Sequence, residues 1–168
     1  YPWGPSARQG LPSFTELHGL KGGAVCKAEI VRGIAKALKM DVLTPAAATG
    51  DVDTDVRAKA EGTLTLLEQN DFVIAHFNGS DEAAHRYDYQ AKANFISRID
   101  EQFVQTIAAQ YKEPLRVVIC GDHVTSSVTG KHSDGCTPVI AGYLNTSGQH
   151  IELTSYRDIL NFLMKESD

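Results

Sequence analysis

The sequence predicts an α/β fold, a three-layer sandwich with a mostly parallel sheet flanked by helices. Two patterns and one size argument lead there. Short apolar runs rich in β-branched and aromatic residues alternate with segments of helical apolar period. The connections are roughly ten to twenty residues long, which suits right-handed crossovers between parallel strands better than tight hairpins. The 168 residues, 42% hydrophobic and 22% charged, are enough for one buried core and unlike a disordered or fibrous composition.

Residues 1–20 hold three of the six prolines and no sustained period, so they read as a loop or linker with at most a turn at Ser13 to Leu17. Gly23 to Lys27 is a strand candidate, followed by a helix from Ala28 to Met40 on the spacing of Ile30, Val31, Ile34 and Leu38. Val42 to Ala48 reads as a second strand, broken at Gly50 and Asp51. Asp53 is the expected N-cap of a helix with Val56, Ala60, Leu64 and Leu67 on one face. Phe72 to Phe77 reads as a strand buried on both faces, ending in the turn Asn78-Gly79-Ser80. A long amphipathic helix from Tyr89 to Tyr111 stops before Pro114. Val117 to Cys120 is the strongest strand, Thr125 to Thr137 is polar and irregular, and Val139 to Tyr143 is a final strand. Tyr156, Ile159, Leu160 and Leu163 form the apolar face of the last helix.

Sixteen basic against 21 acidic side chains give a net charge of -5, which argues against a general nucleic-acid binder. No apolar stretch reaches the roughly 20 residues a bilayer span needs, so no membrane association is expected. Cys26, Cys120 and Cys136 cannot all pair, and two of them sit in apolar contexts that read as reduced core thiols, as in a cytoplasmic protein. The start at Tyr1, without methionine, reads as the interior of something longer.

In parallel α/β sheets the ligand site lies beyond the carboxyl ends of the strands. Immediately after two predicted strands stand Asp81-Glu82-Ala83-Ala84-His85 and Asp122-His123, with Lys131-His132-Ser133-Asp134 in the polar loop. Asp81 and His85 are four residues apart, so one helical turn lets both reach one ion, and His132 can complete a three-ligand site with an open position. Adjacent side chains on extended backbone diverge, so Asp122 and His123 suit a second ion, or a bridge to a neighbouring one, better than joint chelation of the first. Two ions about 3.5 to 4 Å apart would clamp a displacement at phosphorus. Each motif alone also reads as ordinary surface chemistry: an N-cap with a surface histidine, a polar turn, a solvated loop histidine. Mixed oxygen and nitrogen ligands suit manganese, zinc or iron better than calcium.

The order Asp81/His85, Asp122-His123, His132 resembles the metal signature of the alkaline phosphatase superfamily, and more closely its archaeal-type cofactor-independent phosphoglycerate mutase branch. The resemblance includes the WGPSARQGLPSF opening, GLKGGAVCKAEIVRG from Gly19 to Gly33, Ala48-Thr49-Gly50-Asp51-Val52-Asp53-Thr54 with Lys59, Ser80 to His85, and Ile99-Asp100. It implies that Asp81, His85 and His132 hold one of two divalent ions, manganese or zinc, and that Asp122 and His123 contribute to the other. It gives Lys59 a role toward substrate phosphate or carboxylate, against the alternative of a surface helix lysine. Arg8, Arg57 and Lys131 offer phosphate charge by chemistry alone.

The resemblance further implies an aspartate ligand and a serine or threonine nucleophile N-terminal to the matched stretch, neither visible before Trp3. Residues 21–168 then read as the C-terminal part of a catalytic domain, incomplete at its N-terminal side and without turnover alone. Exposed sheet edge and apolar surface are expected, with pairing to a partner as the result. The implied activity of the parent protein is interconversion of 2- and 3-phosphoglycerate through a phosphoenzyme. The alternatives are another phosphomutase or a phosphohydrolase of the superfamily, or a non-catalytic metal-binding domain.

Overall fold

Residues 10–146 and 153–164 are described in the structure, a computed structural model. The opening stretch with Arg8 lies outside them. Where a turn was expected, Phe14–His18 forms a short helix, α1. A reciprocal capping box stabilises it: Ser13 Oγ accepts from the Glu16 amide, and the Glu16 carboxylate accepts from the Ser13 amide. Its Phe14 is buried and stacks on Phe72 at 5.1 Å, so this part of the expected linker belongs to the core.

Three strands, β1 (Gly22–Val25), β2 (Asp41–Leu43) and β3 (Phe72–Ala75), form a parallel sheet in the order β2-β1-β3. Register runs Ala24↔Val42 on one side and Ala24↔Ile74 on the other. Helix α2 (Glu29–Ala37) connects β1 to β2, and α3 (Val56–Leu67) connects β2 to β3. The two crossovers travel in opposite directions, so right-handed connections put their helices on opposite faces. The glycines of β1 show this directly. A Cβ on Gly22 would meet Phe14 and Met40, whereas one on Gly23 would meet Leu66 of α3. Ala24 and Cys26 continue the Gly22 face and pack with Ala35 and Val31 of α2.

Asp55 caps α3 by accepting from the Ala58 amide, two residues beyond the expected Asp53, which instead accepts from Thr49 Oγ1. β3 is not buried on both faces. It lies at the sheet edge, half-buried, with Ile74 exposed, because no strand among the described residues pairs with its outer side. The predicted turn after it is already helical: α4 spans Gly79–His85. The long helix divides into α5 (Tyr89–Ile99), a π-helical turn at Asp100–Val104, and α6 (Gln105–Gln110).

β4 (Leu115–Cys120) pairs antiparallel with β7 (Val139–Leu144). The polar excursion between them contains no crossover helix, so the chain returns in the opposite direction. That excursion is more ordered than expected, since β5 (Val124–Thr125) and β6 (His132–Ser133) pair within it. Helix α7 (Tyr156–Met164) packs on β4. Its Tyr156 is exposed rather than apolar-packed; the hydroxyl lies 2.8 Å from the Gly121 carbonyl and 3.0 Å from that of Asp122. Of the three thiols only Cys26 is a core group; Cys120 and Cys136 are exposed because the end of β4 and the following loop are open to solvent. Ile30 and Ile34 on α2 and Ile140 on β7 are more than half exposed. No helix among the described residues is long and apolar enough to cross a membrane.

Candidate metal centre

Helix α4 begins beyond the carboxyl end of β3, which places Asp81 in its first turn and His85 in its last. The loop that carries Asp51 braces it at both ends. At the N-terminal end a Cβ on Gly79 would stand 2.8 Å from Asp51 C and Val52 N, so only glycine fits without backbone movement. At the C-terminal end Arg86 grips Asp51 with two hydrogen bonds of 2.7 and 2.6 Å, a bidentate fork. The Arg86 guanidinium holds the Asp51 carboxyl below the usual carboxylate range. Arg98 of α5 donates to the Val52 and Thr54 carbonyls, fixing the same loop from a third direction.

Asp81, His85 and His132 converge from α4 and β6, with one ligand atom of each within 4.8 Å of the others. His85 Nε2 is 3.3 Å from Asp81 Oδ2 and 3.3 Å from His132 Nε2. His132 Nε2 is 3.7 Å from Asp81 Oδ1. A tetrahedral ion with bonds of roughly 2.0–2.1 Å separates its ligands by roughly 3.3 Å, so the three groups are spaced as such an ion requires. The tautomer agrees. His85 Nδ1 lies 2.8 Å from the Gly130 carbonyl, which can only accept, so Nδ1 carries a hydrogen, and in the neutral ring Nε2 then presents a lone pair to the cluster. Gly130 has a φ of +63°, and a Cβ there would strike Tyr87 and crowd the His85 carbonyl.

Asp122 and His123 are not members of that three-atom group. They occupy a bend rather than extended backbone, so their side chains approach to 3.7 Å instead of diverging. The His123 ring lies tilted by 32° against His132 with centroids 4.0 Å apart, next to the cluster, while the Asp122 carboxylate is 88% exposed. Arg57 and Lys131 are exposed.

Lys59 is no surface lysine: it is 1% exposed. Its Nζ donates to the His76 carbonyl at 2.8 Å and lies 4.6 Å from the Phe77 ring centroid. Burial lowers its pKa to about 8. His76, which the sequence pattern did not single out, stands at the end of β3, where burial and then the Lys59 ammonium push it down, against the pull of Asp122. Thr125 was also missed. It is buried, and its hydroxyl lies 2.5 Å from Asp81 Oδ1 and 3.1 Å from His123 Nδ1.

Residues 2–159 match the Metalloenzyme superfamily. The 2,3-bisphosphoglycerate-independent phosphoglycerate mutase of Thermococcus kodakarensis is 35% identical over 88% of this chain and 36% of its own length. That of Saccharolobus islandicus is 36% identical over 77% of this chain and 31% of its own. A solved structure of a Pyrococcus horikoshii protein superposes with a TM-score of 0.72 at 34% identity, covering 77% of this chain and 39% of that one. The cofactor-independent phosphoglycerate mutase of Thermoplasma acidophilum superposes with a TM-score of 0.51 at 26% identity, over 66% of this chain and 27% of that one. The chain thus spans about a third of the length of the curated relatives it matches. With the ligand spacing and the fold in agreement, the chain belongs to the alkaline-phosphatase-like Metalloenzyme superfamily and is similar to its archaeal cofactor-independent phosphoglycerate mutases.

Proposed function

We propose that residues 21–168 are the C-terminal part of a metal-dependent isomerase that interconverts 2- and 3-phosphoglycerate through a phosphoenzyme, in glycolysis and gluconeogenesis in the cytoplasm. The observation that carries this reading is the 3.3 Å spacing of His85 Nε2 from both Asp81 Oδ2 and His132 Nε2. In it, Asp81, His85 and His132 hold one divalent ion, and Asp122 with His123 supplies part of a second site. Manganese and zinc suit this donor set. When bound, such ions supply positive charge to phosphoryl oxygens and lower the pKa of a coordinated hydroxyl.

The chain's own residues prepare that chemistry. The Gly130 carbonyl orients His85, and the Asp51–Arg86 fork holds the end of α4. Lys59 brings positive charge to the carboxyl edge of β1 and β3, where it attracts a substrate phosphate or carboxylate without leaving the His76 carbonyl. The nucleophile comes from sequence outside this chain, so the chain alone binds metal without turnover. The exposed Ile30, Ile34 and Ile140 favour pairing with partner surface.

The test has two stages. Manganese titration of the 168-residue chain is expected to show saturable binding, weakened more than roughly tenfold by D81A, H85A or H132A. Absence of binding removes the metal centre. The full-length protein is then assayed for interconversion of 2- and 3-phosphoglycerate without added bisphosphoglycerate. Phosphate release in its place establishes a phosphohydrolase, and inactivity with metal bound points to another phosphomutase or a non-catalytic binding domain.

A further inference from the structure

We propose that Thr125 is a positioning residue that couples the two halves of the metal centre through its single hydroxyl. The inference rests on the metal-centre reading above. Thr125 is 5% exposed and touches members of both ligand groups: Oγ1 lies 2.5 Å from Asp81 Oδ1 and 3.1 Å from His123 Nδ1. Its backbone pairs across the β5–β6 ladder with His132. Lys92 of α5 donates to its carbonyl at 2.8 Å, anchoring the strand to the helix that follows α4. One buried residue therefore contacts or registers three of the five candidate ligands, and a fourth, His85, lies 3.3 Å beyond Asp81.

Hydrogen-bond counting assigns a direction to each contact. A threonine hydroxyl has one proton and two lone pairs, and a carboxylate oxygen only accepts. The proton therefore goes to Asp81 Oδ1. The remaining contact then requires His123 Nδ1–H to donate to the threonine oxygen. In neutral His123 this leaves Nε2 bare, available to an ion. Thr125 does for His123 what the Gly130 carbonyl does for His85, and in the same stroke turns Asp81 Oδ2 toward His85. Thr125 itself contacts no ion or substrate in this scheme, and its effect passes through Asp81 and His123.

The experiment compares wild type, T125S and T125V in the 168-residue chain, using manganese alone as the probe, together with imidazole nitrogen NMR of the metal-free protein and thermal unfolding. Wild type is expected to hold neutral His123 as the Nδ1–H tautomer. T125V should bind manganese roughly ten- to a hundredfold more weakly and lose that tautomer preference, while T125S keeps both. If T125V does not fold, T125A against T125S carries the same comparison. Manganese affinity unchanged in T125V, an Nε2–H tautomer in wild type, or equal weakening in T125S each overturns the proposal. Failure of wild type to bind manganese instead removes the metal-centre reading, and the tautomer measurement still reports on the Thr125 contact.

Discussion

His85 Nε2 and His132 Nε2 face each other at 3.3 Å although 47 residues separate them in the chain. Two imidazole nitrogens at this distance need either a shared proton or a shared cation between them. The Gly130 carbonyl occupies the Nδ1 hydrogen of His85, and Asp81 contributes an oxygen to the same space. A hydrogen on His132 Nε2 would satisfy the pair alone, whereas a cation would satisfy both imidazole lone pairs and the Asp81 oxygen together.

Imidazoles bind metal only when neutral, so protons and metal compete for this site. Manganese affinity is expected to fall as the solution is made more acidic. Titrations at a series of pH values check this. An affinity that stays constant across the series would show that the histidines are not ligands.

Lys59 makes a separate contribution to pH dependence. Burial lowers its pKa from 10.5 to about 8. Below pH 8 both folded and unfolded chains carry the proton, and the buried charge opposes folding. Between about 8 and 10.5 the unfolded chain retains the proton that the folded chain has lost, so this group makes stability rise with pH. K59M should be at least as stable at neutral pH and should lack that rise. Urea unfolding of both proteins across the window measures the difference.

Gly79 sets two effects against each other. Alanine gains up to about 1 kcal/mol of helix propensity in α4. Its Cβ, however, would stand 2.8 Å from backbone atoms of Asp51 and Val52, which cannot rotate away. Overpacking of this kind costs about 1–3 kcal/mol, so G79A is expected to lower the urea midpoint with an unchanged slope. A raised midpoint would show that the Asp51 loop yields.

The cysteines differ in access. A thiol reagent applied to the folded protein should modify Cys120 and Cys136 and spare Cys26 until denaturant is added. Although the residue is open to solvent, the atoms packed around its sulfur, and then the Asp122 carboxylate, push the Cys120 thiol up, so its labelling should be slow at neutral pH and accelerate in alkali. Labelling of all three at one rate would contradict the packing of β1 against α2.

Local pattern made several elements legible. The spacing of Val56, Ala60, Leu64 and Leu67 marked α3, and the apolar run from Phe72 marked β3, because burial of a helix or strand face imposes its own period on the residues. Asp81 and His85 were legible for the same reason, since a four-residue separation is already a geometric statement on a helix. Boundaries were less so: the cap moved from Asp53 to Asp55 because Asp53 is taken by Thr49. The two short strands β5 and β6 left no readable period, being only two residues each.

Strand–helix alternation in the sequence predicts the α/β class and a mostly parallel sheet, and the residue types able to hold a metal are read from it directly, whereas the order β2-β1-β3 belongs to the packed structure. Tertiary structure alone decided which of those residues meet. His132 reaches Asp81 and His85 because β6 pairs with β5, a contact that no periodicity encodes. Lys59 is buried over Phe77 because α3 packs on β1 and β3, which a helical wheel with a lysine beside its apolar stripe does not reveal. The roles of Thr125 and Gly130 depend on one hydroxyl and one carbonyl placed within 3.1 Å of imidazole nitrogens. Hydrogen bonds between segments distant in sequence depend on how the elements pack, and side-chain chemistry read one residue at a time does not contain that information.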